Sequence, residues 1–235
     1  MSIETRAAAE GGTAGRFGAL ALGDIATHLP GSTAVLRRYK LDFCCGGARS
    51  LAQAAAEKSL PLTSIEAELA ALDAAAAVDH PTEPLALIDH ILRRYHDVHR
   101  RELPELIRLA TRVEAVHKNH PQVPRGLADA LREAAGELEM HMQKEEQVLF
   151  PLMRAGGAPM IVHPIAQMRA EHDEHGERLR AIEQLTRNAT PPDDACPTWR
   201  ALYAGIRKLI DDLMTHIHLE NNLLFPSYAA PGARS

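Results

Sequence analysis

Two stretches of the chain share the pattern H-x-x-x-E-x-x-x-L-F-P. One runs from His141 through Glu145 to Leu149-Phe150-Pro151, the other from His216 through Glu220 to Leu224-Phe225-Pro226. Each has a further histidine upstream, by 45 and 44 residues, in the runs His96-Asp97-Val98-His99 and His172-Asp173-Glu174-His175. The order His, then His-x-x-x-Glu, therefore occurs twice, as two similar helical hairpins would give. Residues four apart share one face of a helix, so His141 and Glu145 aim at one point, as do His216 and Glu220. With His96 and His172 added, four imidazoles and two carboxylates converge. Six protein ligands exceed one closed tetrahedral zinc site. They suit two metals about 3–4 Å apart, each carboxylate being free to bridge both. Mixed imidazole and carboxylate ligation suits iron or manganese better than copper or a thiolate-bound metal.

A lone H-x-x-x-E is more often an exposed pair on a helix, and a lone buried histidine more often a core residue than a ligand. Duplication with matched upstream histidines turns that balance towards metal binding. Leu149-Phe150-Pro151 and Leu224-Phe225-Pro226 read as apolar helix ends that close the core. His99 and His175, one turn past the upstream histidines, either line the cavity or face solvent. His218 points away from His216 and is expected outside, and His28, His80, His90, His117, His120 and His163 fall outside the repeat. Glu171, Asp97 and Asp173 are either partners that orient imidazoles or ordinary helix charges. Cys44-Cys45-Gly46-Gly47 reads as a tight loop with two free thiols, which could bind metal, take up nitric oxide or be oxidised reversibly. The plainer alternative is a structural turn built on its glycines. Cys196 reads as incidental.

Long amphipathic helices are needed to hold such a site. Four are expected over about Leu85 to Lys118, Gly126 to Met153, Ile165 to Leu185 and Thr198 to Leu224, with an irregularity at Pro104. Joined by short or moderate loops, they suit an antiparallel four-helix bundle. The expected organisation is a disordered start (1–16), a small helical domain carrying the Cys-Cys-Gly-Gly loop (17–72), a linker (73–84) and the bundle (85–228). In the small domain, Ser32 or Thr33 is expected to cap one helix and Ser50 or Leu51 to open another. The fold class is all-α.

Of the 235 residues, 46% are hydrophobic, 24% charged and only 4% aromatic, which disfavours a β-sandwich. A net charge of -5 argues against a nucleic-acid binder. No apolar run is long enough to span a bilayer. Met1 to Gly15 lacks the basic start and apolar stretch of a secretory signal, so a cytoplasmic location is expected.

The residues His96, His141, Glu145, His172, His216 and Glu220 resemble the ligand set of hemerythrin-like di-iron domains. The segment around Phe43-Cys44-Cys45-Gly46-Gly47 resembles the short N-terminal domain attached to one branch of them. Together, over nearly the whole chain from about residue 17, they resemble the repair-of-iron-centres family of bacterial di-iron proteins. The resemblance implies two non-haem iron ions in an oxo- and carboxylate-bridged centre. It also implies a role in restoring iron–sulfur clusters damaged by nitric oxide or peroxide, with iron donated to the damaged protein. Reduction of nitric oxide at the same irons is the enzymatic alternative, and an oxygen or redox sensor ranks last. The implied partners are damaged iron–sulfur proteins, with nitric oxide or oxygen species as small ligands; homodimerisation is left open. Oxygen-carrying hemerythrins use an additional histidine, so a four-histidine set implies more places for exogenous ligands.

Overall fold

The computed structural model describes residues 15–72, 80–157 and 159–228. The expected disordered start lies outside the described residues as far as residue 14, as do residues 73–79 of the expected linker. The chain forms two compact units, Met1–Asp79 and His80–Ser235.

The first unit contains α1 (Leu22–His28), α2 (Ser32–Arg38), α3 (Leu51–Glu57) and α4 (Leu62–Ala70). Neither Ser32 nor Thr33 caps α2. Gly31 occupies the N-cap in a left-handed conformation with φ 82°, which its missing Cβ permits. The Ser32 hydroxyl instead donates to the Ile25 carbonyl at 2.9 Å and ties α2 to α1. Ser50 does cap α3, in a reciprocal arrangement with Gln53. The buried Glu66 carboxylate accepts the backbone N–H groups of Phe17 and Gly18 at 3.0 and 2.8 Å, anchoring the segment ahead of α1. Leu22, Leu36, Leu41, Phe43, Leu51 and Ile65 fill the core between these short helices.

In the second unit four long helices form the bundle, and three of them contain a widened π turn. Pro84–Ile91, the π stretch Leu92–His96 and Asp97–Val116 follow without a break and make α5 (84–116). Leu127–Lys144, the π stretch Glu145–Leu149 and Phe150–Arg154 make α6 (127–154). The third helix, α7, is Val162–Leu185, and Pro197–His218 with the π stretch Leu219–Leu224 makes α8 (197–224). The bundle pairs α5 with α6 and α8, and α7 with α6 and α8. At Gly205 a Cβ would stand 2.5 Å from Leu106 Cδ2, so the missing side chain lets α8 approach α5 closely.

The irregularity expected at Pro104 lies instead at residues 92–96, and α5 runs on through Pro104. The other two π turns are each followed directly by Phe-Pro. There the residue that cannot donate a backbone hydrogen bond sits where the widened turn has already interrupted the i→i−4 ladder. Leu87, Ile88, Leu149, Phe150, Leu224 and Phe225 join one apolar cluster beside these turns. Leu149-Phe150 and Leu224-Phe225 thus close the core as expected, although α6 continues past Phe150 to Arg154.

Candidate metal centre

The helical period brings all six proposed ligands into the middle of the bundle. His96, His141, Glu145, His172, His216 and Glu220 are each no more than 1% exposed. Three of them, His96, Glu145 and Glu220, sit within the π turns of α5, α6 and α8. Such turns add a residue to the helix and re-aim the side chains after it, and they recur at functional sites.

Each His-x-x-x-Glu pair meets as its spacing suggests, and the structure adds which histidines face one another across helices. His96 of α5 faces His216 of α8, with their Nε2 atoms 3.2 Å apart. His141 of α6 faces His172 of α7 in the same way at 3.1 Å. Both carboxylates lie between the pairs, one oxygen towards each. Glu145 Oε2 is 3.3 Å from His96 Nε2, and its Oε1 is 3.4 Å from His141 Nε2. Glu220 Oε1 is 3.2 Å from His216 Nε2, and its Oε2 is 3.1 Å from His172 Nε2. Two donor groups result: His96, His216, Glu145 and Glu220, and His141, His172, Glu145 and Glu220. A single-helix His-Glu pair cannot reveal this sharing, because it depends on which helices are neighbours.

The outer imidazole nitrogens decide whether these groups fit metals. Nδ1 of His96 donates to Glu146 Oε1 at 2.7 Å, Nδ1 of His141 to Glu171 Oε2 at 2.9 Å, and Nδ1 of His172 to Asn221 Oδ1 at 2.9 Å. Fixing a proton on Nδ1 leaves the Nε2 lone pair pointing inward, as a metal ligand requires. His216 is the exception. Its buried Nδ1 has no hydrogen-bond partner, and its ring stacks on Tyr95 with centroids 5.3 Å apart and planes within 5°. Both oxygens of Glu145 and Oε2 of Glu220 are also buried without a hydrogen bond. Two buried carboxylates and three inward lone pairs are costly unless cations sit among them. The donor set fits two such ions.

Charge is distributed accordingly. Burial and the neighbouring Glu220 push the Glu145 carboxyl up, but His141 and His96 outweigh them and hold it below its ordinary value. Burial likewise raises Glu220, and His172, His141 and His96 bring it down. Burial disfavours protonated His141, yet Glu145 and Glu171 raise it to about 10. His96 is raised as well, its burial being outweighed by Glu145, Glu220 and Glu146. His216 is driven well below its ordinary value by burial and by His96. Metal-free, the centre holds both carboxylates towards their charged form and His141 towards its protonated one.

Glu171 orients an imidazole, and Lys144 and Gln167 in turn hold it at 2.6 and 2.9 Å. Its hydrogen bond to His141 is the main reason its carboxyl falls to about 2. Asp97 and Asp173 are exposed and play no such part. Glu146 and Asn221 take it instead; each directly follows a ligand glutamate, and that shared repeat position was the available signal. Arg100 holds Glu146 at 2.7 Å. Glu146→Ala is expected to weaken metal retention at the His96 group by about 10–100-fold. A ferrous chelator should then strip about half the metal at concentrations that leave the unmodified protein loaded.

Phe150 and Phe225 form walls of the site: Phe150 lies over His96 at 5.9 Å and Phe225 over His172 at 5.8 Å. His99 and His175 are buried, so they line the interior. His99 lies against His216 at 5.6 Å and His175 against His141 at 4.9 Å, between ring centroids. Burial is the main cause lowering them to about 3 and about 4. The expectation that His218 lies outside is wrong: His216 to Asn221 are all buried, so α8 has no solvent face there. Cys44 and Cys45 lie on the loop of the first unit and Cys196 at the N-cap of α8, and none of the three is in a disulfide.

The family model described as "Hemerythrin HHE cation binding domain" matches residues 87–228, and one described as "Domain of Unknown function (DUF542)" matches residues 20–73. The chain is 52% identical over 207 residues to proteins named "Iron-sulfur cluster repair protein YtfE" from Citrobacter koseri, Escherichia coli O81 and Shigella boydii serotype 4. In each case the match covers 87% of this chain and 94% of the relative.

Proposed function

Because this chain belongs to the hemerythrin HHE family, in its repair-of-iron-centres branch, we propose that it repairs damaged iron–sulfur clusters by donating iron. The observation that carries this reading is the sharing of Glu145 and Glu220, one oxygen of each towards either histidine pair. In it His96 and His216 would hold one iron and His141 and His172 the other, with Glu145 and Glu220 available to both. When bound, a pair of non-haem irons supplies one-electron redox chemistry and places for small ligands. Glu146, Glu171 and Asn221 hold three rings in the binding tautomer, and Phe150 and Phe225 keep water from two of them.

Iron as cargo has to leave. Imidazole and carboxylate ligands hold ferrous iron less firmly than thiolates hold soft metals, and protons compete for them. The neighbouring carboxylates that raise His141 and His96 supply that competition, since protons there offset the buried charges of Glu145 and Glu220 once iron departs. Damaged iron–sulfur proteins are the partners in this reading, and the cytoplasm is where it operates. None of the described helices is long and apolar enough to cross a membrane.

A second reading rests on the donor count. Each group offers two imidazoles and two shared carboxylates, which leaves room on an iron for nitric oxide or an oxygen species. Mixing the diferrous protein with nitric oxide and measuring nitrous oxide in a single turnover tests reduction at that site. The repair reading is tested by loading the protein anaerobically with iron-57 and mixing it with a nitric-oxide-damaged cluster enzyme. Donation predicts the label in a rebuilt cluster by Mössbauer spectroscopy, with enzyme activity restored. Activity restored with all label still in the bundle would rule donation out.

A further inference from the structure

Outside the bundle, one other group of side chains among the described residues brings ligand atoms together: Asp42, Cys44 and Cys45, all within 4.8 Å of one another. The loop between α2 and α3 builds it. Asp42 Oδ1 accepts the backbone N–H groups of Cys45 and Gly46 at 2.9 and 3.1 Å, which folds the loop back over its own carboxylate. The same oxygen is 3.4 Å from Cys44 Sγ, and the two sulfurs are 3.7 Å apart. Gly46 has no room for a side chain, since a Cβ would stand 2.5 Å from Arg49 Nη2 and 3.0 Å from the Asp42 carbonyl oxygen.

These separations match those on a single ion. Two thiolates bound tetrahedrally at about 2.3 Å stand roughly 3.8 Å apart, and a thiolate and a carboxylate oxygen roughly 3.5 Å. We propose that Asp42, Cys44 and Cys45 form a second metal site, which takes a borderline-soft divalent cation such as ferrous iron or zinc. The set is chemically distinct from the bundle's, because it offers sulfur in place of imidazole. Binding converts both thiols to thiolates, so two protons leave for each ion bound. Two thiolates and one carboxylate carry three negative charges, of which a divalent ion leaves one; the Arg49 guanidinium nearby is ion-paired to Glu57 at 2.6 Å. Cys44 is buried, whereas Cys45 and Asp42 are half-buried, so solvent reaches two of the three ligands. Three protein ligands leave a fourth position open, as exchange with an outside ligand requires.

The test is cobalt(II) titration of the full chain, anaerobic, with its thiols reduced and the bundle already loaded with iron. The expected result is one cobalt per chain, with a thiolate-to-cobalt charge-transfer band in the near ultraviolet and two protons released. Cys45→Ser should abolish the band while the bundle keeps its two irons. Asp42→Asn should weaken cobalt binding at least about tenfold, and Cys196→Ser should change nothing. No thiolate band in the unmodified protein, or a band that survives Cys45→Ser and vanishes with Cys196→Ser, overturns the proposal. The band reports sulfur ligation alone, so neither result depends on whether the protein donates iron.

Discussion

Glu220→Ala is expected to leave less than about half an iron per chain after anaerobic loading and desalting, and Glu145→Ala the same. The reason is geometric. Each carboxylate places one oxygen beside either histidine pair, so its loss removes a donor from both groups. His96→Ala touches one group only and should leave about one iron, on the His141 and His172 side. Far-ultraviolet circular dichroism should change little in all three variants, because the apolar stripes that hold the helices together stay intact. Iron content by plasma mass spectrometry separates the cases. Retention of two irons by either glutamate variant would refute the shared-carboxylate arrangement.

The next largest effect concerns acid stability and His99. Burial, aided by the nearby His216, lowers His99 from 6.5 to about 3. Between those values the unfolded chain binds a proton that the folded chain does not. Folding stability is therefore greatest above pH 6.5 and declines as pH falls towards 3. At about 1.4 kcal/mol per pH unit, going from about pH 7 to about pH 5 removes about 2 kcal/mol through this one ring. In the metal-depleted protein, urea unfolding of His99→Leu should lose about 2 kcal/mol less than the unmodified protein over that interval. Equal losses in the two proteins would mean that His99 reaches solvent when protonated.

Much of the bundle was legible because the repeat supplied its own control. His96 and His172, with His141-x-x-x-Glu145 and His216-x-x-x-Glu220, recur at matched separations, and apolar residues at helical spacing give the four helices. The π turns were not legible. Leu92–His96 carries no composition that sets it apart from ordinary helix, and the Pro104 signal pointed to the wrong place. The cross-helix grouping of His96 with His216 was out of reach for the same kind of reason, since spacing along one helix says nothing about its neighbours. His218 was misplaced because a rule of faces presumes a wet side, and α8 has none at that end. Glu146 and Asn221 were missed although both follow a ligand glutamate, because acid and amide do not look alike as letters. Chemically they do the same work, each accepting a hydrogen bond from an imidazole Nδ1–H.

The two hairpins are near-copies, and the copy fails at one point. Three of the four rings are latched at their outer nitrogen, while His216 is held by its stacking on Tyr95. A stacked ring slides and tilts more easily than one pinned by a hydrogen bond. If iron is donated as proposed, the His96 and His216 side, where one ring lacks that latch, is expected to release it first. A half-loaded protein is then expected to keep its remaining iron between His141 and His172, whose rings are both held at Nδ1.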